Sequence, residues 1–206
     1  MDFQILLEKS ARNHSHLCPR QILGVRLGLA GMAALGFSEP PGAKRLLVIT
    51  ETDGCFVSGL SAATDCAVSH RTLRVEDYGK TAAVFVDTLT GQCVRVAPAP
   101  DIRLRAIDCA PDGSHRYLAQ MQAYQSMRDD EMFTVTPVTL NTSIAAIVSR
   151  PGMRVNCGLC GEEIMNEREI KTDGITLCQA CAHGAYYRAA KHENTLPRDI
   201  RQTATP

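Results

Sequence analysis

The sequence predicts an α+β fold, with a mixed sheet and packed helices followed by a small C-terminal zinc ribbon. Helical and strand patterns alternate irregularly along most of the chain, which favours an α+β core over a doubly wound sheet. Two C-x-x-C pairs lie near the C-terminus, after a break at Arg150-Pro151-Gly152. We therefore expect a core domain over residues 1–150 and a ribbon with a helix and tail over residues 151–206.

The first two predicted elements are helices. Residues 3–12 carry apolar side chains at intervals of three and four, which is typical of an amphipathic helix. The second helix begins at Pro19, because proline is favoured at the first helical position, and residues 22–35 contain few polar side chains. This helix should be buried, and it carries three glycines that allow a neighbouring backbone to approach closely: Gly24, Gly28 and Gly31.

The middle of the core is predicted to be mostly strands. Residues 45–51 form a short apolar run suited to a central strand, and Asp53-Gly54 then turns the chain into a helix from Cys55 to about Thr64. Further strands are expected at residues 72–76, 82–87 and 93–97, the last two joined by a hairpin turn at Thr90-Gly91.

The core should end with one more helix and strand. Residues 114–127 show helical spacing of apolar side chains, and residues 133–140 alternate like a strand. Pro137 has no N–H to donate, so this strand is expected at an edge or a bulge of the sheet.

Charge and composition limit the classes of partner. Lys and Arg number 22 and Asp and Glu number 22, so no net field attracts nucleic acid or an anionic membrane. The apolar run 25–37 is too short and glycine-rich to span a bilayer, and Asp2 and Glu8 argue against a signal peptide. We therefore expect a cytoplasmic protein with no membrane partner.

The strongest motif is a pair of cysteine knuckles. Cys157-x-x-Cys160 and Cys178-x-x-Cys181 are separated by 17 residues, a spacing at which four thiolates bind one structural Zn²⁺. The intervening residues 164–177 should form a hairpin with Asp173-Gly174 at its turn, followed by a helix over residues 179–192. Acidic and basic residues number seven each from residue 151 onwards, which favours a protein contact over nucleic acid for this ribbon.

A second cluster lies near the N-terminus. His14, His16 and Cys18 alternate, so an extended segment presents them on one side, and imidazole and thiolate are ligands for transition metals. Cys18 precedes Pro19 and Cys55 begins the next helix, where the helix dipole favours a thiolate.

These four residues predict either a second transition-metal site or a reactive thiol pocket. In the pocket, Cys18 or Cys55 would be the nucleophile or redox thiol and His16 its base. In one continuous helix Cys66 would lie about 16 Å from Cys55, too far to bind the same ion. Cys93 and Cys109 are expected to be small buried hydrophobic residues.

The order of these motifs resembles the formylmethanofuran dehydrogenase E-subunit family. The segment His14-Ser15-His16-Leu17-Cys18-Pro19 is similar to the family's H-G-H-x-C-P-G opening. The resemblance continues through Glu51-x-x-x-Cys55, Thr64-Asp65-Cys66 and Asp77-Tyr78-Gly79-Lys80, and spans about residues 10–140. It implies an α+β core, an intertwined homodimer and a pocket at the His/Cys cluster that can hold a metal.

The sequence departs from the family at four positions. Ser15, Arg20 and Asp65 replace glycines, and Ser58 stands where the family usually has Asp. A family role in proton transfer is therefore not carried over to Ser58. Arg20 brings a positive charge beside Cys18 that would favour its thiolate.

Three functions stay open from the sequence, and with them the question of whether the chain is an enzyme. We prefer a zinc-binding homodimeric accessory or regulatory protein with a second metal or thiolate site in the core. The second hypothesis is a thiol- or metal-dependent enzyme that uses Cys18 or Cys55 with His16. The third is a zinc-ribbon transcriptional or RNA-binding factor, based on four basic residues near the C-terminus: Arg188, Lys191, Arg198 and Arg201.

Overall fold

The computed structural model describes residues 2–109 and 115–188. The chain divides into two compact units, Met1–Val148 and Ser149–Pro206. The first unit has a mixed sheet with packed helices, and the second contains a four-cysteine cluster compatible with a zinc ribbon. This confirms the predicted fold class. No helix among the described residues is long and apolar enough to cross a membrane.

The first unit contains the longest helices and the larger sheet. Its helices are α1 (Phe3–Ala11), α2 (Pro19–Ala34), α3 (Cys55–Thr64), α4 (Ile102–Asp108), α5 (Arg116–Ser126), α6 (Asp129–Met132) and α7 (Ile144–Val148). Its strands are β1 (Leu46–Thr50), β2 (Leu73–Val75), β3 (Ala83–Asp87), β4 (Cys93–Pro98) and β5 (Phe133–Pro137). Sequence patterns did not predict α4, α6 or α7.

The five strands form one sheet in the order β2-β1-β3-β4-β5. β1 and β2 are parallel and the other neighbours are antiparallel, so the sheet is mixed. β5 lies at an edge, as Pro137 predicts. Side chains alternate between two buried faces: Val48 and Phe85 face the main core, whereas Leu47 and Val86 pack against the segment that includes α7.

Backbone-to-backbone contact between α2 and α3 is the closest packing in this unit. A Cβ added to Gly24 would lie 2.2 Å from the carbonyl oxygen of Phe56, and one added to Gly59 would lie 2.2 Å from that of Gln21. Further along, a Cβ on Gly28 would lie 2.8 Å from the Cβ of Ala63. The contacts advance together along both helices, so α2 and α3 run parallel with their N-termini side by side.

The second unit is built from two small hairpins and a short helix. Its elements are β6 (Arg154–Asn156), β7 (Glu163–Met165), β8 (Ile170–Thr172), β9 (Ile175–Leu177) and α8 (Gln179–His183). β6 pairs with β7, and β8 pairs with β9 across the predicted Asp173-Gly174 turn, where both residues have positive φ.

The helix predicted over residues 179–192 is too long. It ends at His183, where Gly184 has φ +95° and leaves the helical conformation. The rest of that prediction beyond residue 188, and the loose tail predicted at Glu193–Pro206, lie outside the described residues.

We predict that Gly59→Ala lowers the free energy of unfolding of the first unit by about 2 to 3 kcal/mol, because the added methyl group forces α2 and α3 apart. Urea denaturation followed by circular dichroism measures the change. Ser61→Ala, two residues along α3, is the control and should shift the free energy by less than about 0.5 kcal/mol. Equal stability of Gly59→Ala and wild type would contradict the close crossing.

Candidate metal centre

The four ribbon cysteines converge on one point. Cys157 and Cys160 lie between β6 and β7, and Cys178 and Cys181 lie at the start of α8. Their Sγ atoms all lie within 4.8 Å of one another, and those of Cys160 and Cys178 are 3.9 Å apart. Zn–S bonds of about 2.3 Å in a tetrahedron give S–S distances of about 3.8 Å. The spacing of the sulfurs therefore fits a four-coordinate metal ion.

Backbone N–H groups of the knuckles point at the sulfurs. Cys178 donates its N–H to Cys157 Sγ at 3.3 Å, and Cys181 donates to Cys178 Sγ at 3.4 Å. The N–H groups of Cys160, Cys178 and Leu159 together lower the pKa of Cys157 to about 6. Such N–H groups offset the negative charge that thiolate ligands bring to a metal.

Crowding of the sulfurs acts in the opposite direction on Cys181. Its contact with Cys178, together with desolvation and the other two sulfurs, raises the pKa of Cys181 to about 12. One thiolate therefore forms readily at Cys157, whereas a full set of four requires a cation among them to offset their repulsion. This cluster can hold a metal ion.

The core cluster is assembled by the parallel helices. Cys18 is the N-cap of α2 and Cys55 is the first residue of α3, and their thiols contact each other. His14 Nδ1 lies 3.9 Å from Cys55 Sγ, and His14 Nε2 lies 2.9 Å from the hydroxyl of Ser58. His14, Cys18 and Cys55 thus form a chain of neighbouring ligand groups, all partly buried.

His16 lies in a different environment from the other three residues. It is exposed, and its Nδ1 is 2.9 Å from the hydroxyl of Ser15. The histidine in contact with Cys55 is His14, although His16 was the predicted base. Within residues 2–109 and 115–188, the only group of three or more converging metal ligands is the ribbon set, so the core residues approach one another in pairs.

Burial outweighs the helix dipole at Cys18. Desolvation raises the pKa of the Cys18 thiol; the N–H groups of Gln21 and Arg20 act against this, and the Cys55 thiol adds to it. The net direction is upward. The predicted stabilisation of a Cys18 thiolate by the end of α2 and by Arg20 is therefore too small to dominate.

The loop that carries the cluster is fixed by two residues that the sequence patterns did not single out. Gln21 is fully buried; its side-chain oxygen accepts the Cys18 N–H at 2.8 Å, and its amide donates to the Ser10 carbonyl at 2.8 Å. Tyr117 on α5 donates its hydroxyl to the Leu17 carbonyl at 2.9 Å. The signal for Gln21 was present, because Gln at the third helical position is typical of a capping box.

The remaining predicted residues lie away from the cluster or have structural partners. Cys66 is 3% exposed and donates its thiol to the Leu46 carbonyl, so it belongs to the hydrophobic core. Glu51, from the Glu51-x-x-x-Cys55 motif, forms a two-bond ion pair with Arg95 at 2.6 and 2.7 Å. Cys93 is buried as predicted, but Cys109 is exposed at the end of α4.

Comparisons with known proteins agree with this architecture. The FmdE family model, described as "Molybdenum formylmethanofuran dehydrogenase operon", matches residues 13–134. An FmdE-like protein of the tungsten formylmethanofuran dehydrogenase type, from Syntrophus aciditrophicus, has a similar fold, with a TM-score of 0.57 and 20% identity over 91% of this chain and 96% of that one.

A curated relative is longer than this chain. It is a probable S-adenosyl-L-methionine-binding protein from Archaeoglobus fulgidus, 28% identical over 88% of this chain and 53% of its own length. The chain therefore spans about half the length of that relative.

We predict that iodoacetamide labels exposed Cys109 several-fold faster than Cys18 at pH 7 in chelator-treated protein. The raised pKa of Cys18 leaves less thiolate at neutral pH, so its labelling rate should continue to rise above the ordinary thiol pKa. Peptide mass spectrometry measures both sites over a range of pH. Preferential labelling of Cys18 near pH 6 would contradict this prediction and favour a nucleophilic thiol.

Proposed function

The chain belongs to the FmdE family, and from this premise we propose that it is a zinc-binding homodimeric accessory or regulatory protein with a second metal or thiolate site in its core. The observation that carries the proposal is the convergence of four cysteine sulfurs within 4.8 Å. The homodimer rests on the family resemblance, and the accessory role on the family's description by an enzyme operon.

Zinc is the ion that the ribbon's ligands favour. Four thiolates in a tetrahedral arrangement are typical of structural Zn²⁺, whereas Mg²⁺ and Ca²⁺ require oxygen ligands. The hairpins of this unit have strands of three residues, and most of their side chains are exposed or half-buried. Little apolar burial is available to stabilise them, so metal binding would supply much of the folding free energy.

The core cluster suits a less saturated site. His14, Cys18 and Cys55 offer one imidazole and two thiols, a set that transition metals with a preference for nitrogen and sulfur accept. The contacts of His14 Nε2 with Ser58 and of its Nδ1 with Cys55 direct the Nδ1 side of the ring toward the thiols. Three protein ligands leave a coordination position for a further group, as expected for sensing or delivering an ion.

Two observations weigh against the alternative functions. The raised pKa of Cys18 disfavours an enzyme in which that thiol is the nucleophile, although the His14–Cys55 contact keeps Cys55 as a candidate. The equal numbers of acidic and basic residues from residue 151 onwards disfavour a nucleic-acid-binding ribbon. All nine cysteines are free thiols, which supports a reducing compartment such as the cytoplasm.

We predict that the purified protein contains one tightly bound zinc per chain in the ribbon and a second, more weakly bound metal in the core. Cys181→Ser should remove the ribbon zinc, because a three-sulfur site loses much of the affinity. Cys18→Ser should remove only the weaker ion. Plasma emission spectrometry after dialysis against increasing chelator concentrations measures both. Cys109→Ser is the matched control, and its metal content should equal that of the wild type.

The two parts of this prediction fail separately. If Cys181→Ser keeps a full zinc complement, the ribbon assignment is wrong. If metal content never exceeds one ion per chain and Cys18→Ser leaves it unchanged, the core site binds no metal and the ribbon assignment stands.

We also predict a homodimer, with a mass in light scattering of twice the 22.4 kDa of one chain. The mass should not change in Cys18→Ser if the dimer is formed by apolar packing rather than by the core metal. A mass of one chain at micromolar concentration would contradict the dimer.

A further inference from the structure

A cleft in the first unit lies apart from both cysteine clusters in composition. It has a volume of about 440 Å³ and is formed by residues of α2, α4 and α5 together with Thr81. This volume is within the range of small-molecule sites, roughly 300 to 1,000 Å³. The cleft has no role in the function proposed above.

Three arginines line the cleft: Arg20, Arg103 and Arg116. Its lining contains no acidic residue. Among residues 2–109 and 115–188, none of the three takes part in an ion pair, whereas Arg26, Arg45, Arg95 and Arg105 each pair with a carboxylate. Three guanidinium groups around one concavity repel one another, so an anion bound there would gain from all three.

Much of the remaining lining is apolar. Leu23 is buried and Ile107 is half-buried, and Leu104 is 66% exposed at the rim. Tyr124 also lines the cleft although it is only 2% exposed. Burial raises the pKa of Tyr124 and the nearby Arg103 charge opposes that rise, which places the guanidinium of Arg103 close to the phenol. A cationic rim thus borders an apolar wall.

We propose that this cleft binds a small organic anion, whose carboxylate or phosphate group is held by Arg103 and Arg116 and whose apolar part packs against Leu23, Leu104 and Ile107. A diffuse surface charge would not require a concavity or a buried tyrosine. Pro19 and Arg20 directly follow Cys18, so the bound anion lies at the same end of α2 as the core cluster.

The test is isothermal titration of the full-length protein with phenyl phosphate, benzoate and inorganic phosphate. Arg103→Gln and Arg116→Gln should each weaken binding of the organic anion by about tenfold or more, because each removes a charge-assisted hydrogen bond. Both side chains are exposed, so the variants should keep the wild-type circular dichroism spectrum. Arg168→Gln, an exposed arginine of the second unit, is the matched control and should bind as the wild type does.

The probes separate the possible ligands. Tighter binding of phenyl phosphate than of benzoate and inorganic phosphate indicates a phosphate ester, and tightest binding of benzoate indicates a carboxylate; either supports the proposal. The proposal is overturned if neither organic anion binds, if Arg168→Gln weakens binding as much as the cleft variants, or if inorganic phosphate binds as tightly as phenyl phosphate. Binding of heparin alone would also overturn it, because an extended polyanion does not need the cleft.

Discussion

The contact between the backbones of α2 and α3 is the constraint on which the first unit depends. Gly24 and Gly59 each face a carbonyl oxygen of the other helix, at a distance that leaves no room for a side chain. The helices therefore meet along their backbones and keep one register relative to each other. Because they run parallel, this register also brings their N-termini together, and the N-termini carry Cys18 and Cys55.

The same packing determines the electrostatics of the core cluster. A helix N-terminus favours a thiolate, and two such ends lie side by side here. Burial removes water from the Cys18 thiol, however, and the neighbouring Cys55 thiol disfavours a second negative charge, so the pKa of Cys18 rises. The arrangement resists ionisation until a positive charge is supplied, which suits a cation site better than a free nucleophile.

Sequence patterns predicted elements with local signals and failed where the structure depends on distant contacts. Pro19 and the turns at Asp53-Gly54 and Asp173-Gly174 mark observed boundaries, because each fixes the backbone by its own chemistry. α4 has only seven residues, too few for helical spacing to stand out. The overlong helix after Cys178 is a different error, since Gly184 was a visible stop signal.

The two clusters differ in how far sequence could define them for a related reason. The ribbon ligands fall within one short segment, so their spacing alone predicts convergence, and the sulfurs do converge. The core cluster depends on α3 reaching the loop before α2. Alternation placed His14 and His16 on the same side and could not choose between them, because the choice depends on Ser58. Its hydroxyl contacts His14 one helical turn after Cys55, so the histidine that reaches the thiols is set by α3 rather than by the motif that contains it.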